Sequence, residues 1–186
     1  VVTPSANGAH IAVFTNNPEA KNQTVFSEEV VAGNVKSTVS TFLKAHKRHI
    51  FLHFLLDYQD YQLVLLEDKG IVEPELSQII PWESADFVSY LPEDGRFFYL
   101  QSKREKMNYV FGFHLEKVIN FLHSVDLSIE QFDSVNVMDC AWANYIGCET
   151  QSSQNLFIDI RPMNSRLIYT EANNIEAIHK FDPVKN

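Results

Sequence analysis

The chain has 186 residues, 45% of them hydrophobic and 12% aromatic, enough to bury one sizeable core or two smaller ones and too apolar for a disordered tail. With 24 acidic against 15 basic side chains the formal net charge is -9, which argues against nucleic acid as a partner and leaves a basic or neutral protein as the better fit. No apolar run approaches the ~20 residues that span a bilayer.

After a flexible start over Val1 to Asn7, Ala9 to Thr15 reads as a strand, Asn16-Asn17-Pro18 as a turn and Gln23 to Val31 as the partner strand. Gly33-Asn34 opens a helix with Val35, Val39, Phe42 and Leu43 on one face. The basic cluster Lys44, His46, Lys47 and Arg48 lies at its C-terminus, where the helix dipole favours positive charge. His49 to Leu56 is nearly continuous in apolar residues, as expected for a strand covered on both faces, and Tyr61 to Glu67 follows as another strand. Pro74 to Val88 reads as a helix that Pro81 should kink or shorten. Arg96 to Ser102 and Asn108 to Phe113 are strands, and Leu115 to Val125 is the clearest amphipathic helix. Phe132 to Met138 is a short strand and Asp139 to Ile146 a short helix. Leu156 to Arg161, Arg166 to Glu171 and Ile175 to Phe181 close the chain as three strands, the last two joined at Asn173-Asn174. This alternation predicts an α/β or α+β fold with sheets covered by helices. It is read as one domain, with a division into subdomains of about 1–90 and 91–186.

The residues that usually carry chemistry do not form a pattern. His46, His49 and His53 have helical spacing but straddle a helix–strand boundary, and His114 and His123 are nine apart on what reads as one helix, so no metal site is expected. Cys140 and Cys148 read as thiols in a reducing compartment rather than a disulfide, and Met138-Asp139-Cys140-Ala141-Trp142 matches no nucleophile motif. No two glycines fall within five residues of each other, which excludes the common glycine-rich phosphate loops. Glu28 with Glu29, and Asp57 with Asp60, read as solvated strand ends and turns rather than paired catalytic carboxylates. No catalytic, cofactor-binding or metal residue is therefore assigned, and partner-binding residues stay unassigned.

From Tyr61 onward the order of segments resembles the actin-like PilM and GspL-type proteins of type IV pilus and type II secretion assembly platforms. The resemblance is nearest to protein I of mannose-sensitive haemagglutinin (MSHA) pilus biogenesis. It rests on Asp60-Tyr61-Gln62-Leu63-Val64-Leu65-Leu66-Glu67, then Ile80-Pro81-Trp82-Glu83-Ser84-Ala85-Asp86, then Leu91-Pro92-Glu93-Asp94 and Phe97 to Leu100. The block from Tyr109 to Tyr145 follows, with Asp126-Leu127 where that group has Gly-Leu. Phe157-Ile158-Asp159-Ile160 and Asn164-Ser165-Arg166-Leu167-Ile168-Tyr169 resemble the D-I-G hairpin of the actin-like fold. Arg161-Pro162 stands where that hairpin carries glycine, and neither residue suits close backbone approach to a phosphate.

The resemblance implies a reduced actin-like (ribonuclease H-like) fold of mixed sheets flanked by helices, without nucleotide binding. It implies a non-enzymatic scaffold on the cytoplasmic side of the bacterial inner membrane, docking the assembly ATPase and inner-membrane platform proteins. Any transmembrane helix is expected after Asn186, and a homodimer is left open. Two other classes share the size and charge: an acidic immunity protein or antitoxin bound to a basic toxin, and a small enzyme using Cys140 with a distant histidine.

Overall fold

The computed structural model describes residues 1–14, 24–45, 50–102, 104–149, 152–172 and 174–182. They form two compact units, each built from two stretches of chain: Val1–Asp57 with Glu116–Asn136, and Tyr58–Leu115 with Val137–Asn186. The units interleave in sequence, whereas the expected division was a single cut near residue 90.

The first unit is built on a five-stranded sheet in the order β3-β2-β1-β4-β8. Its strands are β1 (Val2–Ser5), β2 (Gly8–Phe14), β3 (Thr24–Val31), β4 (His53–Leu56) and β8 (Ser134–Val137). β1 runs antiparallel to β2 and parallel to β4. The opening residues are thus a central strand and not a flexible lead. Pro4 disguises it, because proline lowers the odds of a strand. Here β1 meets β4 only at Val2↔Phe54, so the missing Pro4 N–H costs no ladder bond on that side.

Helix α1 (Ala32–Ala45) buries Val35 and Val39 and packs on β2 and β3. Phe42 meets Phe26 with ring centroids 5.0 Å apart. Helix α3 (Leu115–Ser124) buries Val118 and Leu122, one turn apart, and Phe54 packs between Phe121 and Phe132 at 5.8 and 5.4 Å. β4 is shorter than the apolar run suggested. Leu52 instead exchanges bonds with Asp133, its N–H donating to Oδ2 at 2.6 Å and its carbonyl accepting from the Asp133 N–H at 2.8 Å.

Gly8 is required by contact. A Cβ there would lie 2.2 Å from the Val30 carbonyl oxygen and 2.6 Å from the Ala32 nitrogen, so only glycine lets β2 lie this close to the end of β3.

The second unit carries two three-stranded antiparallel sheets. In the first, β7 (Met107–His114) lies between β5 (Gln62–Glu67) and β6 (Gly95–Ser102). Val64, Leu66 and Val110 on these strands pack with Leu76 and Ile80 of helix α2 (Glu75–Glu83). α2 ends at Glu83, two residues after Pro81, and a 3-10 turn over Ala85–Phe87 replaces the rest of the expected helix. In the second sheet β10 (Ser165–Glu171) lies between β9 (Gln154–Asp159) and β11 (Asn174–Phe181), and helix α4 (Met138–Glu149) packs on all three. Among the described residues no helix is long and apolar enough to cross a membrane.

Candidate functional site

β10 alternates Arg166, Ile168 and Thr170 toward α4, and all three are buried. An arginine in that phase must bring a carboxylate with it, because a lone buried charge is far too costly. The carboxylate is Asp139, in the first turn of α4; Arg166 is 1% exposed and Asp139 0%. Arg166 Nε lies 3.4 Å from Asp139 Oδ2, and its Nη1 donates to the Asn164 carbonyl at 3.2 Å. The Tyr61 hydroxyl donates to Asp139 Oδ2 at 2.7 Å, and the Asp139 N–H donates back to the Tyr61 oxygen at 3.3 Å.

Tyr58 extends the cluster. The guanidinium carbons of Arg166 and Arg161 lie 4.5 and 4.6 Å from its ring centroid, within cation–π range. Arg161 Nε donates to Asp159 Oδ2 at 2.9 Å. Arg166 and Arg161 thus each have a carboxylate beside them, Asp139 and Asp159. Burial pushes the Asp139 carboxyl above its ordinary range, with Arg166 and Tyr61 pulling against that shift. Burial, then the nearby Asp139, push the phenols of Tyr58 and Tyr61 well above the usual tyrosine range. What the cluster does is pin α4, the β9–β10 hairpin and the segment entering β5 to one another.

The β9–β10 turn can be tested for phosphate, the ligand that an actin-like fold suggests for it. Such a loop needs several unspent backbone N–H groups. The Arg161 N–H donates to Ser165 Oγ at 3.0 Å, and that hydroxyl donates back to the Arg161 carbonyl at 2.9 Å. The Asn164 N–H donates to Asp182 Oδ1 at 3.0 Å, and Pro162 has no N–H at all. Asn164 takes the left-handed conformation, φ 59°, which turns the chain without glycine. Two of the turn's backbone donors, those of Arg161 and Asn164, are thus engaged within the chain, and Pro162 offers none.

Cys140 follows Asp139 on α4. Burial first, then the neighbouring carboxylate, push its thiol up to about 12, away from a neutral-pH nucleophile. The Cys148 side chain, His46 and His49 lie outside the described residues, as does the turn expected at residues 16–18. His53 Nδ1 is hydrogen-bonded to Ser134 Oγ at 2.7 Å, and His114 ends β7 rather than starting the helix with His123. Among the described residues no group of three or more His, Cys, Asp or Glu side chains could hold a metal ion. Glu28 and Glu29 are exposed on β3.

No protein-family model and no curated protein sequence matches the chain. Solved structures do. One is a Bacteroides thetaiotaomicron protein with an actin-like ATPase fold and unknown function, with a TM-score of 0.51 at 13% identity, covering 99% of this chain and 69% of that one. The cytoplasmic domain of EpsL, an inner membrane component of the Vibrio cholerae type II secretion system, gives 0.57 at 16% identity, covering 97% and 69%. The PilM–PilN type IV pilus biogenesis complex gives 0.60 at 13% identity, covering 96% and 60%. Identities this low speak for the fold alone. The chain has a mixed α/β fold of the actin-like ATPase type, spanning 60–69% of the length of these neighbours.

Proposed function

We propose that this chain is a non-catalytic scaffold domain of a bacterial assembly platform for type IV pili or type II secretion. On this reading it sits on the cytoplasmic side of the inner membrane and docks the assembly ATPase and inner-membrane platform proteins, with the MSHA pilus machinery as its nearest setting. The observation that carries the reading is an actin-like fold whose β9–β10 turn commits the Arg161 and Asn164 N–H groups to Ser165 and Asp182 and carries Pro162 between them. The neighbours support the same direction, since EpsL is described as an inner membrane component of a secretion system and PilM stands in a complex with PilN. Hydrolysis of ATP belongs to a partner in this scheme, and the domain contributes surfaces.

The test is affinity capture of the chain in its bacterial host with identification of the bound proteins. Recovery of an assembly ATPase or of inner-membrane platform proteins, repeated with the purified components, is the expected result. Stoichiometric recovery of one basic toxin without any platform component would overturn the reading in favour of an immunity protein.

A further inference from the structure

We draw no further inference here: the strongest candidate, the acidic surface around α2 on which Val72, Trp82, Phe87 and Leu91 are exposed, belongs to a chain that spans 60–69% of the length of its fold neighbours, and nothing in the structure shows what covers it.

Discussion

At the scale of single residues the buried Asp139–Arg166 pair sets the terms. Two charges taken from water at this depth add little to stability as a pair, yet removing one strands the other. Asp139→Ala leaves Arg166 with backbone carbonyls and the Tyr58 ring but no carboxylate, and is expected to cost about 3–5 kcal/mol in urea denaturation. Tyr61→Phe, which removes the hydrogen bond to the Asp139 carboxylate and the acceptor of the Asp139 N–H, should cost about 1.5–3 kcal/mol. A double change to Asp139→Leu with Arg166→Met should cost much less than Asp139→Ala, since no charge is left unpaired; a loss equal to or larger than that of the single variant would refute the pairing argument. Cys140 offers an independent reading of the same environment. Its thiol value of about 12 lies above the ordinary one, so the protonated, unreactive form prevails at neutral pH and labelling quickens only as pH climbs toward that value. In a Cys148→Ala variant, a disulfide reagent at pH 7 should modify the native protein far more slowly than the urea-unfolded chain. Rapid native labelling would restore the case for a cysteine enzyme.

At the scale of elements, Gly8 links sequence to packing most sharply. Gly8→Ala sets a Cβ against the backbone of Val30 and Ala32, groups that cannot rotate away as a side chain can. The expected loss is about 1–3 kcal/mol or more, seen as a lowered denaturation midpoint. Gly112→Ala meets the flexible side chains of Tyr90 and Phe97 instead and should cost less.

Most elements were legible because their periodicity was clean. The aromatic and apolar runs within Arg96 to Ser102 and Asn108 to Phe113, and the helical stripe of Leu115, Val118, Ile119 and Leu122, give β6, β7 and α3 to within a residue or two. β1 was hidden by Pro4, whose cost vanishes only because of a register that sequence does not display. The interleaved units were hidden for a related reason, since which strands share a sheet depends on long-range pairing and not on local pattern. The buried cluster was half legible. Arg166 shares the inward phase of Ile168 and Thr170, which signals a buried charge, but its partner lies 27 positions away on α4. Nothing in the spacing of Tyr58, Tyr61, Asp139 and Arg166 announces that they meet.

At the scale of the whole molecule the question is whether an actin-like fold entails a nucleotide. In the β9–β10 hairpin Arg161 and Asn164 give their N–H groups to Ser165 and Asp182, and Arg161 folds its side chain back to Asp159, which leads us to expect no nucleotide there. To admit a phosphate, these bonds would have to break and Pro162 would still offer no donor. A ligand that binds the folded state alone stabilises it by about 2.7 kcal/mol at a hundredfold excess over its Kd. For a chain of this length each kcal/mol raises Tm by about 2–4 °C, so a genuine nucleotide site would lift Tm by several degrees in millimolar Mg-ATP. The expected result is no shift beyond that produced by Mg²⁺ alone, or by an equal ionic strength of sodium chloride. Arg161→Gly serves as the complementary measurement, because it frees the space without freeing the Asn164 N–H, and it too should leave Tm unresponsive to Mg-ATP. A nucleotide-dependent rise in the wild-type chain would mean that the turn reorganises around a phosphate, and the domain would then have to be read as a nucleotide-controlled partner rather than a fixed one.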